Sequence, residues 1–416
     1  MNARAIQLLL LVITDACAIA TGRALSPLQE TLQHSLSLSD NQIAVLQGPA
    51  LALPTILFAL PLGVLIDRSS RVRLCLILSA LGSTGTILTA LSSRFDILIL
   101  GRCLAGLSMA GVTIAIFSLI ADLYLPAERG RAKAMIVVGQ NLATAASFAV
   151  GGRLLGLFDS VNSWRYALLW MSGLAGVLAL VTVLLVREPE RHWDVSSPSS
   201  TEGMVARLWA YRALVVPLVL GVVFAELPVY AMLAWASPAF SRGFALSPDR
   251  VGDLMGTAMF ISGLVGPILG GVLADVCQRV RGPRLTVSSL CALALLGVPM
   301  GLFAITPSLV LAAVLFTVYN TIISATVGMS ITLFTVVIPS EVRGLSLAVL
   351  AATDALFGYA LAPMIVSSVS GFIGGSESVG ISLTAVCLAA SLGCALAFAL
   401  SRKCFASGAS HPAMSM

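Results

Sequence analysis

The feature that most constrains this chain is a succession of apolar runs, each long enough to cross a bilayer, separated by short breaks rich in charge or turn-forming residues. About twenty residues of α-helix rise about 30 Å, the thickness of a bilayer's hydrocarbon layer. Lipid offers no partner to a backbone N–H or C=O, so only helices and closed barrels can cross it. These runs are continuous, without the alternation of barrel strands, and so predict helices. Twelve are expected, at residues 6–28, 42–66, 74–92, 96–120, 133–157, 164–186, 212–236, 250–273, 285–304, 308–333, 346–370 and 378–400. Of 416 residues, 58% are hydrophobic and only 10% charged. Soluble domains carry about 25% charged residues, and in water a chain of this composition would present large apolar patches. The fold class read from the sequence is an all-α membrane protein of twelve transmembrane helices.

The 24 Lys and Arg residues set the expected orientation. With the N-terminus inside, seventeen fall on one face, among them Arg4, Arg68, Arg71, Arg73, Arg129 and Arg284. Arg94, Arg165, Arg242 and Arg250 fall on the other, while Arg23, Arg102 and Arg153 lie within spans. The positive-inside rule then puts both termini in the cytoplasm. Arg4 and the apolar run after it resemble a secretory signal, but residues 6–28 are long enough to span and further spans follow, so cleavage is not expected. Between the sixth and seventh runs, Arg187 to Gly203 is rich in Pro, Ser and charge and reads as a solvated linker. The expected organisation is an N-terminal six-helix half at 1–186, a linker at 187–211, a C-terminal six-helix half at 212–401 and a cytoplasmic tail at 402–416.

The two halves repeat. Leu36 to Gly48 matches Ala245 to Gly256 with a displacement of 208 residues, and the same displacement aligns Gly63 to Asp67 (GVLID) with Gly271 to Asp275 (GVLAD). A looser match pairs PAERG (Pro126 to Gly130) with PSEVRG (Pro339 to Gly344). Same-sense repeats of six helices imply halves related by an axis along the membrane normal, an arrangement suited to a site exposed alternately to each side.

Gly63, Asp67, Arg68, Arg71 and Arg73 form G-V-L-I-D-R-S-S-R-V-R after the second helix, and Arg102 with Gly106 forms R-x-x-x-G in the fourth. Both resemble signatures of the major facilitator superfamily. LSLSDNQIAVLQGPALAL (Leu36 to Leu53), SLIADLYLPAERGRA (Ser118 to Ala132), WRYALL (Trp164 to Leu169), VREPER (Val186 to Arg191) and MLAWASPAF (Met232 to Phe240) narrow the resemblance to the Spinster-like transporters. In this setting the first motif reads as a gating latch. Gly63 allows close helix approach, Asp67 and its repeat Asp275 face helix N-termini, and Arg71 pairs with Asp122 or Glu128, close in sequence to Arg129.

The chain departs from the family pattern at two positions. Where the resemblance implies an Asp-Arg pair in the first helix, Gly22-Arg23 stands, and where it implies a Glu after the fourth-helix arginine, Met109 stands. The carboxylates left within spans are Asp15, Glu226 and Asp354, and ionisable residues at that depth are candidates for substrate binding or coupling. Asp354 is favoured, because Thr353 beside it and Gly358 one turn on leave room for water. Arg23 and Arg102 are further candidates for substrate binding or coupling, Arg102 for an anionic group, with the alternative that Arg102 snorkels to the interface. Tyr230, Trp235, Tyr319 and Asn320 either line a central cavity or pack in the core.

The function the resemblance implies is secondary active transport of a small organic or amphipathic solute, anionic or lipid-like, by alternating access. An efflux pump or a uniporter of the same fold, and a non-transporting membrane sensor, are the alternatives. No GxxxxGK[ST] loop is present, and His34, His192 and His411 all lie outside the spans, so no enzymatic role is expected. The eight cysteines show no metal-binding spacing. No cofactor, metal or nucleic acid is expected. The partners read from the sequence are the solute, protons and the lipid bilayer of a bacterial inner membrane, with the protein a monomer.

Overall fold

The computed structural model describes residues 3–158, 160–186, 188–189, 208–338 and 340–406. Residues 190–207 of the expected linker and 407–416 of the expected tail lie outside these. The N-terminal helices are α1 (Ala3–Arg23), α2 (Leu25–Leu36), α3 (Asp40–Gln47), α4 (Pro49–Arg68), α5 (Arg71–Leu91), α6 (Phe95–Leu123), α7 (Pro126–Leu157) and α8 (Ser163–Leu185). After them come α9 (Arg212–Phe244), α10 (Pro248–Arg281), α11 (Pro283–Met300), α12 (Leu309–Val337), α13 (Ser340–Thr353), a π-helical stretch (Asp354–Leu361), α14 (Ala362–Ile373) and α15 (Val379–Ala406). Twelve helical segments among the described residues are long and apolar enough to cross a membrane, as the sequence leads one to expect.

Two features separate these helices from the apolar runs. α9 and α10 extend well beyond the expected 212–236 and 250–273, because helical hydrogen bonding continues into polar turns that hydropathy does not register. The first and second spans are interrupted, the first only in its hydrogen bonding, since Ala24 keeps helical dihedrals (φ −55°, ψ −30°). Pro27 has no N–H for the carbonyl four residues back, and the first span divides at Ala24 between α1 and α2. In the second, Gly48 sits at φ −110°, ψ −94°, outside helical geometry, immediately before Pro49.

The loop from α2 to α3 turns on Ser37 (φ 52°), and the loop from α9 to α10 turns on Ala245 (φ 48°). These are the only non-glycine residues with positive φ among those described, and they stand at the 208-residue repeat displacement. Left-handed backbone is disfavoured for residues with a Cβ, so the repeat extends to an uncommon backbone conformation. Ser39 and Gln42 form a reciprocal capping box at the start of α3.

Packing divides the described residues into two units. One joins the N-terminal six spans to residues 233–260 and 359–379, and the other holds the remainder of the C-terminal half. In the first unit α1 packs on α5, α6, α7 and α8. Close approach is made by small residues: a Cβ on Gly106 would collide with the Leu51 carbonyl oxygen, and one on Gly85 would stand 2.5 Å from that of Gly101. Large apolar side chains such as Leu57, Leu184, Val310 and Phe372 remain exposed. Apolar residues thus occupy both the interior and the surface, the distribution that lipid requires.

Candidate functional site

Asp15 lies midway along α1 and has no exposed surface. One carboxylate oxygen accepts the Thr113 hydroxyl of α6 at 2.6 Å, and the other accepts the Gln140 amide of α7 at 2.8 Å. The Gln140 amide also lies 3.3 Å from the Thr113 oxygen. Thr113 and Gln140 are each partly accessible. Neither polar partner was singled out by the sequence, because uncharged polar residues are common in apolar helices; their role is visible only once three helices face one another.

Arg102 is buried and bonds to the two helix breaks. Its Nε donates to the Leu46 carbonyl at 3.2 Å, and a terminal nitrogen donates to the Gly22 carbonyl at 2.8 Å and to Gln47 Oε1 at 3.4 Å. Backbone at a break within a span needs such partners, so Arg102 ties α1 and α3 to α6. The snorkelling alternative does not describe a guanidinium held in this way. Arg23 lies over the Tyr359 ring, 4.9 Å from its centroid. The Tyr359 hydroxyl is 3.9 Å from the Met109 sulfur.

In the C-terminal half, the Tyr230 hydroxyl donates to an Asp354 carboxylate oxygen at 3.1 Å. Asp354 opens the π-helical stretch, an irregularity frequent at functional sites. The room expected beside it is not there. A Cβ on Gly358 would meet Asp354 Oδ1 at 2.8 Å and the Tyr230 ring at 3.0 Å, and the Thr353 hydroxyl turns back onto the Val349 and Leu350 carbonyls of its own helix. The glycine accommodates the Tyr230–Asp354 pair rather than water. Glu226 is partly buried on α9. Asn320 donates to the Phe316 carbonyl at 2.8 Å and contacts the Met232 sulfur at 3.6 Å. Trp235 donates to the Pro363 carbonyl and Tyr319 bonds with Ser391 and the Cys387 carbonyl, each fully buried, so both belong to packed cores.

At the arginine-rich end of the first unit, Arg71 is buried and pairs with Asp122. Its second carboxylate is Glu188, not Glu128, which is exposed. Glu188 accepts Arg71 Nε at 3.1 Å, the backbone N–H groups of Arg71 at 3.0 Å and Val72 at 2.9 Å, and the Ser70 hydroxyl at 2.7 Å. It caps the positive N-terminus of α5. Burial pushes the Glu188 carboxyl upward, but these four hydrogen bonds outweigh it and hold the group below its ordinary value. A Cβ on Gly63 would meet nothing within 4 Å among the described residues, so the close approach expected there occurs at Gly106 instead. Arg68 and Asp275 are exposed, and Arg129 donates to the Tyr124 carbonyl. The Asp67 side chain lies outside what is described.

At the opposite end of the same unit stands a cluster the sequence did not reveal. Arg242 of α9 donates to both Glu30 oxygens of α2, at 2.7 to 3.2 Å, to Gln33 at 3.1 Å and to Asp40 at 3.3 Å. Arg242 and its partners lie more than 200 residues apart in the chain, so local sequence carries no sign of the contact.

A family profile matches residues 11–363, that of the Major Facilitator Superfamily. The chain belongs to the Major Facilitator Superfamily. Among its relatives in the superfamily are the MFS-type efflux pump of Mycolicibacterium smegmatis, 28% identical over 285 residues (67% of this chain, 64% of that protein), and protein spinster of Drosophila melanogaster, 25% identical over 225 residues (51% and 36%). The chain spans less than two thirds of the length of either relative. A bacterial homolog of the human lysosomal transporter Spinster, in an inward-facing and occupied conformation, superposes with a TM-score of 0.81 at 21% identity over 96% of each chain. The Spinster resemblance read from the motifs is thus met in both sequence and fold.

Proposed function

We propose that this superfamily member is a secondary transporter that moves a small organic or amphipathic solute, anionic or lipid-like, across a bacterial inner membrane by alternating access. The observation that carries this reading is the placement of hydrogen-bonded carboxylates within lipid-length spans, between the first and fifth helices of each half: Asp15 with Gln140, and Asp354 with Tyr230. An ionisable group at that depth is costly and is found where a solute or ion passes. The cation distribution supports cytoplasmic termini, with the Arg71 cluster on the cytoplasmic side and the Arg242 cluster at the periplasmic end. Asp15, Glu226 and Asp354 are the candidates for proton linkage. The protein acts as a monomer and carries out no enzymatic step.

The test is thermal unfolding of the purified chain against a panel of organic acids, lysolipids and drugs, since a ligand that binds only the folded state raises its stability. At least one class is expected to raise the unfolding temperature in a saturable manner. A panel in which no compound does so, with no counterflow in proteoliposomes, contradicts the reading.

A further inference from the structure

We infer that Asp15, Thr113 and Gln140 form a proton-holding site in which the Thr113 hydroxyl turns between the Asp15 carboxylate and the Met109 carbonyl as the carboxyl group loses and gains a proton. The inference deepens the transport reading by assigning the coupling ion to one carboxylate.

Hydrogen bonding at this site is complete in both protonation states of Asp15. The Thr113 oxygen lies 2.6 Å from Asp15 Oδ1 and 3.1 Å from the Met109 carbonyl oxygen, so its hydroxyl has two acceptors within reach. With Asp15 ionised, Thr113 donates to Oδ1 and Gln140 donates to Oδ2. With Asp15 neutral, the new O–H on Oδ1 donates back to Thr113 Oγ1, and the Thr113 hydroxyl turns to Met109, whose carbonyl has a second lone pair beyond its helical bond. Gln140 keeps its donation to Oδ2 throughout. Neither state leaves a buried polar atom unsatisfied, which is the condition for holding both in lipid. On protonation the carboxyl O–H forms as an O–H of a hydronium ion breaks, and on release the carboxyl O–H breaks as a water takes the proton. The proton comes from water and returns to water past Thr113 and Gln140, the two partly accessible members.

The helices packed on α1 carry their other titratable groups toward their ends, with none within 76–91, 104–121, 134–152 or 167–185, and Arg71 of α5 pairs with Asp122 of α6. Cys75 of α5 lies within electrostatic reach of Asp15. On α6, Arg102 is held on the Gly22 and Leu46 carbonyls, with Cys103 beside it; on α7, Lys133 lies over Phe117 and Arg153 pairs with Asp253. On α8, Arg165 donates to the Ala90 and Ser92 carbonyls, and α1 itself adds Cys17, Arg4 at its start and, at its end, Arg23 over the Tyr359 ring. The hydrogen-bond partners of Asp15, Thr113 and Gln140, are uncharged.

Infrared difference spectroscopy of the purified full chain, without substrate, tests the site. Between pH 4 and 10 a protonated carboxyl stretch should titrate in the parent and be missing in Asp15→Asn. Thr113→Ser should keep the titration, whereas Thr113→Val, or Thr113→Ala if the valine variant does not fold, should displace the band and move its midpoint by about one pH unit, the worth of one hydrogen bond to a charged group. Absence of an Asp15-dependent band, a Thr113→Val or Thr113→Ala variant that titrates as the parent does, or displacement of the band by sodium at fixed pH would overturn the inference. Because no substrate enters the measurement, its failure is separate from failure of the transport reading.

Discussion

Gly22 of α1 and Met109 of α6 are in direct contact: a Cβ on Gly22 would stand 2.8 Å from the Met109 sulfur. These are the two positions at which resemblance to Spinster-like proteins implies carboxylates, and here a missing side chain and a thioether fill each other's space. Asp15 precedes Gly22 by seven residues and Thr113 follows Met109 by four, separations that return to the same helix face. The ionisable group therefore remains on the seam between α1 and α6, about 10 Å along α1 from the place the family pattern implies.

The contact predicts a measurable coupling. Gly22→Ala gains helix propensity of about 1 kcal/mol but crowds Met109, so with Met109 present the net change in stability is close to zero or unfavourable. With Met109→Ala the same substitution becomes stabilising. A double-mutant cycle in thermal or denaturant unfolding should give a coupling energy of about 1 kcal/mol, and strict additivity would show that the two side chains do not share this space.

Arg102 is predicted to act on the empty protein. Removing it leaves the Gly22 and Leu46 carbonyls at the helix breaks without their donor, and Arg102→Ala should lower stability by about 3 kcal/mol. Arg102→Lys loses the fork that reaches both carbonyls and should recover only part of that. Unchanged unfolding of the empty variant, together with loss of ligand-induced stabilisation, would move Arg102 from a helix tie to a substrate contact.

The Glu188 cap carries a pH dependence of defined sign. Because its folded-state carboxyl is held below the ordinary value, its contribution to stability is present above about pH 4.3 and is lost as pH falls through the lowered value. Solvent screening of this partly exposed group limits the effect to about 1 kcal/mol or less. Glu188→Gln should remove that much at pH 7 and flatten the acid limb of the stability curve, whereas an unaltered acid limb would show that the cap is not formed in solution.

Arg242 closes the periplasmic end in this reading. Arg242→Gln should raise the labelling rate of a cysteine placed at the partly buried Ser35, two residues beyond Gln33 on α2, about tenfold, equivalent to about 1.4 kcal/mol taken from the closed state. Glu30→Gln, which leaves Asp40 on the arginine, should do less. Equal labelling in the parent and both variants would remove the lock.

Much of the fold was legible because lipid imposes a simple length rule on each span and because the repeat places Asp67 against Asp275. The breaks at Ala24 and Gly48 were not read, although Gly48-Pro49 is a turn-forming dipeptide and Pro27 a helix breaker, since both lie in apolar runs that hydropathy treats as continuous. Asp15 and the Arg71–Asp122 pair stood out as charges in or beside apolar sequence. Glu188 stands within VREPER, and nothing local shows that it reaches a helix start more than a hundred residues earlier. The preference for Asp354 rested on Gly358 as open space, and three-dimensional packing fills that space with the Tyr230 ring.

In the proposed transport cycle Asp15 carries the coupling proton. The direct measurement is accumulation, driven by a pH gradient in proteoliposomes, of whichever compound stabilises the parent, with Asp15→Asn and Asp354→Asn compared. Asp15→Asn should retain binding and counterflow but lose accumulation, and Asp354→Asn should still accumulate. Accumulation by Asp15→Asn at the parental level would contradict the claim.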